Sequence, residues 1–403
     1  MFRYAVLSLL IACGDSTDSH TVATCGTHAG GGLADFDIPC DPGGEGLYIT
    51  ASGEAFAKDG YPFPPTDADA VFFVDGWEIA YDHVITTVDH VTLSSGPDKS
   101  DTDQSLCDDG HGGTITCGTG SSVVAAVDGP FALDLHNGGP LDDADGAPMD
   151  ATPIGALAGL DPTTKYAFGF EVVPALAQAK NVNLDDAGVT AYQQMIAKGY
   201  TTLLVGTATW KGADCTQTAA YDFTVLPTTI HFQIGLDAPT TYRNAQNPAL
   251  QGEPHPNEEN PRGVVVVANQ STIAQVTLHI DHAFWESFVH DSPAHFDSFA
   301  AKYAGSTTAN LVLEDFKGYA FTPFVDAQGH QLPWRSCVSS DMYTPPGDGA
   351  MSFDTLTVPV DPTGDPASVI RDFYDYTTYN HSTFGHLNAD GLSFVDRNYP
   401  SPK

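Results

Sequence analysis

The chain has 403 residues, with 15 Lys plus Arg against 51 Asp plus Glu, a formal net charge of −36 at pH 7. A field of that sign repels nucleic acid and anionic lipid headgroups and attracts cations, which excludes nucleic-acid binding as an expectation. Its hydrophobic content of 42%, with 22 Phe and 16 Tyr, supplies a real core and excludes a disordered chain.

Arg3 and the free amino terminus form a small positive region, and Tyr4 to Ala12 form an apolar run too short to span a bilayer. Residues 1–12 therefore read as a signal peptide. The run ends in Leu10-Ile11-Ala12-Cys13 with Gly14, Asp15 and Ser16 behind it. This resembles the lipobox of bacterial lipoproteins, which implies lipidation of Cys13, a membrane anchor and a place in the cell envelope. Acyl chains at such a terminus anchor stably when two or more are present.

Residues 13–45 read as a Ser-, Thr- and Gly-rich tether that includes Cys25 and Cys40. Strand alternation begins at Gly46-Leu47-Tyr48-Ile49-Thr50 and returns in a long segment from Val71 to Leu93. There Trp77, Ile79, Tyr81, His83 and Ile85 share one face at period two, with Val84 and Val88 on the other. Residues 94–121 form an acidic loop holding Cys107 and Cys117. Strands follow at Ser122–Val127, Phe131–His136, Tyr166–Val173, Thr201–Trp210 and Tyr221–Ile234, with a short helix over Asn183–Lys198. A Pro/Asn-rich stretch, Asn244–Arg262, separates residues 46–243, read as a β-sandwich domain, from a second β-rich lobe over 263–403. In that lobe Gly263–Ala268, Thr272–Ile280, Leu311–Leu313, Tyr319–Val325 and Ser352–Val360 read as strands. Two short helices carry cap signals, one at Ser292-Pro293 and one at Asp365-Pro366. The fold class is thus mainly β, and roughly 390 residues after Cys13 exceed what one core usually organises.

With Cys13 assigned to lipid, six cysteines remain: Cys25, Cys40, Cys107, Cys117, Cys215 and Cys337. An even set in an exported chain suggests disulfides, and six cysteines permit fifteen connectivities. Short loops favour Cys25–Cys40 and Cys107–Cys117, which leaves Cys215–Cys337. No C-x-x-C arrangement is present, so zinc ribbons and thioredoxin-type redox sites are not expected.

The chain has no G-x-S-x-G, H-E-x-x-H, Walker-type or G-x-G-x-x-G motif. The unusual feature is histidine. Of 15 in the chain, His279, His282, His290 and His295 fall within one short stretch. Neutral imidazole suits first-row transition metals, and a nearby carboxylate can orient the ring. His279, His282 and His386, with Asp281 as ligand or orienter, are the expected metal residues, for copper or zinc. His381 and His231 are further candidates to complete the site. Calcium is a lesser expectation, from Asp98, Asp101, Asp103, Asp108 and Asp109 and from Asp142, Asp143, Asp145 and Asp150, because carboxylate-rich loops suit hard cations. The competing reading is an extracellular binding or adhesion module for a protein or polysaccharide, with structural histidines.

Four stretches carry a resemblance. They are Val74-Asp75-Gly76-Trp77-Glu78-Ile79 continuing through Thr86 to Leu93, Val127-Asp128-Gly129-Pro130-Phe131-Ala132-Leu133-Asp134-Leu135-His136, His279-Ile280-Asp281-His282-Ala283-Phe284-Trp285, and Gly385-His386-Leu387-Asn388. Together they resemble a group of uncharacterised lipoproteins common in myxobacteria and related bacteria. The first half is also similar to a transthyretin-like β-sandwich domain. The resemblance implies a lipid anchor and β architecture, directs attention to Asp281, His282 and His386, and leaves the function open.

Overall fold

The computed structural model describes residues 20, 22–65, 72–96, 122–137, 151–255, 258–365 and 368–397, and the backbone alone of 106–108 and 114–116. Cys13 and its leader, the Cys107–Cys117 pairing and both acidic stretches considered for calcium lie outside the described residues. The protein is mainly β. Four α-helices occur among the described residues: Glu54–Asp59 (α1), Asp186–Lys198 (α2), Asp297–Ala301 (α3) and Phe373–His381 (α4).

The larger sheet has 11 strands and is organised around Trp77–Ser95, a strand of 19 residues. Along one edge this strand pairs antiparallel first with Thr202–Trp210 and then with Lys165–Val172, and its other edge takes Phe131–Asp134 and Val123–Val127. Its alternation does not run unbroken as the sequence suggests. Val205 faces His83 while Gly206 faces Tyr81, so Asp82 is an extra residue, a β-bulge that shifts the phase of the strand. Gly206 permits this close approach, since a Cβ there would lie 2.2 Å from the carbonyl oxygen of Ala80. As a result Trp77, Ile79 and Tyr81 share the main core with Val84 and Val88, not with Ile85. Ile85 instead packs in a smaller cluster with Tyr192 and Met195 of α2. A second irregularity places His90 and Val91 opposite Phe170 alone, with His90 at φ 46°.

The smaller sheet has five strands in the order Gly391–Leu392, Gly385–Leu387, Ser271–Leu278, Gly46–Ser52 and Ala151–Leu157. Strands from both sides of the 244–262 stretch enter both sheets. Thr308–Val312 runs parallel to Thr229–Leu236 in the larger one, and Ser271–Leu278 runs parallel to Gly46–Ser52 in the smaller. One cluster of buried side chains reaches from Phe36 to Leu387. The stretch therefore links two parts of a continuous core.

Several expected elements begin elsewhere, each for a local reason. The backbone of residues 293–295 is engaged in pairing: Glu286 donates to Pro293 O, and His295 donates to Phe284 O. The helix expected from Ser292 thus starts only at Asp297. Its end is capped by Asp75, whose Oδ2 accepts from Phe296 N at 2.8 Å and Asp297 N at 2.7 Å. The helix expected from Asp365 starts at Phe373, capped by Asp372, because Ile370 pairs with the 359–361 segment. Tyr319–Val325 and Ser352–Val360 make isolated bridges, not strands. Residues 223–225 form a 3-10 turn, so that strand opens at Thr229.

Among the described residues two disulfides are formed, Cys25–Cys40, as its short loop suggests, and Cys215–Cys337, the remaining pair. Cys337 lies beside a buried polar group in which Asp297 receives Arg335 and the Trp77 indole N–H. Burial and the neighbouring Asp297 push the Asp75 carboxyl up to about 7.

Candidate metal centre

Three segments remote in sequence meet at one end of the smaller sheet. Ser271–Leu278 and Gly46–Ser52 are parallel, with Thr277 opposite Ser52, so both chains leave the sheet at the same edge. The residues that emerge there are His279 and Glu54. Gly385–Leu387 is antiparallel to Ser271–Leu278 and sets His386 opposite Thr277. After His279 the chain turns into a 3-10 helix, Ile280–Phe284, which brings His282 back over the same edge. The segment is neither a continued strand nor an α-helix. Glu286, which an α-helix would set one turn from His282, does not face it and bonds His295 and Tyr343.

One ring nitrogen from each of His279, His282 and His386 lies within 4.8 Å of the others. The rings of His279 and His386 stack with centroids 4.4 Å apart, and His282 stands edge-on to them at 5.7 and 5.6 Å.

Outer contacts fix which nitrogen is free. His279 Nε2 lies 3.2 Å from the Ala389 carbonyl and 3.6 Å from Glu54 Oε2, both acceptors, so its proton sits on Nε2 and Nδ1 presents a lone pair. His282 Nδ1 lies 2.8 Å from Thr383 Oγ1. That hydroxyl already donates to Asn380 O at 2.7 Å, so it accepts from His282 and leaves Nε2 as a lone pair. Nε2 of His282 and both nitrogens of His386 are buried without a hydrogen-bond partner. Buried polar atoms are nearly always satisfied, and such orphans require an account. Metal ligation is one, because a ligating histidine characteristically has its other nitrogen held by a carbonyl, hydroxyl or carboxylate.

Electrostatics agree with neutral rings. Burial first, and then the neighbouring histidines, hold His282 and His386 well below the usual imidazole range. Neutral imidazole is the form that binds metal. Burial raises the Glu54 carboxyl, partly offset by His279. No protein-family model, curated protein or solved structure matches this chain.

The structure thus brings together His279, His282 and His386 and leaves out the other expected residues. Asp281 is buried, and its Oδ2 accepts from the Trp285 indole N–H at 2.9 Å. It does not join the three ring nitrogens. Its contact is indirect, through Trp285, whose ring lies 3.6 Å from that of His282. His381 is buried against Phe384 with both nitrogens unpartnered, and burial lowers it to about 3. His231 is exposed in the larger sheet, bonded to Thr207. Glu54, Thr383 and the Ala389 carbonyl escape a reading of sequence. Nothing in their local patterns marks them, and only the parallel pairing and the turn after α4 bring them in.

Proposed function

We propose that this protein binds a transition metal, copper or zinc, through His279, His282 and His386, without turnover. The observation that carries the reading is the convergence of one ring nitrogen from each of three histidines, at a place where His282 Nε2 and both His386 nitrogens are buried without a partner. The donor set is all nitrogen and uncharged, which suits copper and zinc and disfavours calcium, an oxygen-seeking ion. Glu54 and Thr383 would orient His279 and His282, and Asp281 would hold Trp285 against the site. The setting we propose is the cell envelope, with the chain anchored through lipid on Cys13. Two disulfides fit an oxidising compartment, and the acidic surface would concentrate cations near the site.

Elemental analysis of purified protein tests this, beside a variant carrying His282→Ala and His386→Ala. Circular dichroism and disulfide mapping confirm that the variant folds. Stoichiometric copper or zinc in wild type, lost in the variant, is the expected result. Wild type that stays metal-free after incubation with either ion would sink the proposal.

A further inference from the structure

We infer that His290 is a fourth ligand, carried on a short strap that closes the site into a four-histidine centre; this rests on the metal reading above. The strap is the loop from Ser287 to Ser292. Its ends are tied by the Ser287 and Ser292 hydroxyls at 2.5 Å and by the Glu286 N–H on the Pro293 carbonyl. Phe288 anchors one side by stacking on Tyr376 and Tyr379, with centroids 5.0 and 4.5 Å away. The tip is inverted relative to what hydrophobicity alone selects. Val289 is 51% exposed, while the Nε2 atom of His290 is buried. The next residue, Asp291, adopts φ 60°, a left-handed conformation that is unfavourable for a residue with a Cβ.

That strained tip delivers His290 to the site. Its ring centroid is 5.6 Å from His386 and 6.1 Å from His282. Its Nδ1 lies 3.1 Å from the Asp291 carboxylate, which only accepts when ionised. The proton therefore sits on Nδ1, and Nε2, buried and without a partner, presents a lone pair. This is the pattern of His279 and His282 repeated, one nitrogen held from outside and the other free. His290 stands outside the group of ring nitrogens lying within 4.8 Å of one another, so the strap must carry it inward as the ion binds.

The consequence is chemical. Three histidines alone would leave a coordination position for water or a substrate, as in hydrolytic sites. A fourth nitrogen fills that position, and the centre then holds its ion without offering it to a reactant. His290 is the residue that decides between these two kinds of site.

Cobalt(II) loaded into the full chain reads the coordination directly, because four-coordinate tetrahedral cobalt absorbs far more strongly in the visible than higher-coordinate cobalt. Wild type should give the strong tetrahedral spectrum and should not respond to azide. His290→Ala truncates one half-buried side chain of the strap, and circular dichroism checks that the variant folds. Its cobalt bands should shift as water replaces the fourth nitrogen, azide should bind to the opened position, and zinc affinity in chelator competition should fall by more than about 100-fold, beyond the loss seen for outer-contact mutations. If wild type binds zinc and cobalt, but His290→Ala matches it in spectrum, azide response and affinity, the strap inference fails and the three-histidine reading stands. If wild type binds neither ion, both fall together.

Discussion

Thr383→Val tests the logic of the site without touching any ligand. Valine matches threonine in shape but removes the hydroxyl that accepts from His282 Nδ1 at 2.8 Å. With a metal on Nε2, the proton must remain on Nδ1, and the variant buries that N–H with no acceptor. An unsatisfied buried donor costs about 1–3 kcal/mol. At about 1.4 kcal/mol per factor of ten, this corresponds to a loss of roughly 5- to 150-fold in affinity. The usual range for removing an outer partner of a ligating histidine, about 10- to 100-fold, falls inside it. The assay is zinc or copper affinity by competition with a chromogenic chelator, with Thr383→Ser as the rescue, since serine keeps the hydroxyl. Thr363→Val is a surface control, because that hydroxyl bonds only Asp361 in an exposed turn. Wild-type affinity in Thr383→Val, to within about twofold, would show that Thr383 does not set the His282 tautomer, and the assignment of free nitrogens would lose its basis.

Two further predictions concern the scaffold. Removing the Cys215–Cys337 bridge by Cys→Ala at both positions should cost more stability than removing Cys25–Cys40. The sequence separations are 122 and 15, and loop entropy gives about 5 against about 3 kcal/mol; urea unfolding of the two double variants reads the order, and the reverse order would refute the loop-entropy account. The pH dependence should carry two opposed slopes. Asp75 is raised in the fold, so its contribution is present below the ordinary carboxylate pKa and lost as pH rises through about 7. Asp75→Asn keeps an acceptor for Phe296 and Asp297 and should lose less stability than wild type between pH 4 and pH 7. His381 is lowered to about 3, so its contribution is present above the usual imidazole pKa and lost as pH falls towards 3. His381→Phe should accordingly lose less stability than wild type between pH 6.5 and pH 4. Denaturant midpoints that track wild type across both windows would show that neither group titrates as its burial requires.

Much of the architecture is legible in the amino-acid sequence because period-two alternation is a local signal. The Thr202–Trp210 and Lys165–Val172 strands lie within a residue or so of their expected bounds. What escapes is phase. A single extra residue at Asp82 moves the side chains after it to the opposite face until the second irregularity at His90 and Val91, and only the partner strands reveal it. The helices slip for a related reason. Ser292-Pro293 and Asp365-Pro366 look like helix starts, but pairing with the 284–286 and 359–361 segments engages their neighbourhoods, and the caps used are Asp75 and Asp372. Asp75 lies far upstream of the helix it caps, beyond the reach of any local pattern.

The candidate site shows the same division between local and distant information. His279 and His282 stand out by density, and His386 by its motif, but density also pointed to Asp281, which turns away to hold Trp285. Sequence proximity cannot distinguish a residue that faces the site from one that supports it, because a 3-10 turn rotates successive side chains by about a third of a circle. The distinction lies in the hydrogen-bond partners. Asp281 is occupied by an indole N–H, whereas His282 and His386 each keep a buried nitrogen with nothing to bond. A cluster that had formed only to fill space would place carbon there, since a buried imidazole nitrogen left unpaired costs free energy in the apo protein. The fold tolerates that cost at neighbouring rings on one sheet edge, and metal binding, as we propose it, is the event that would remove it.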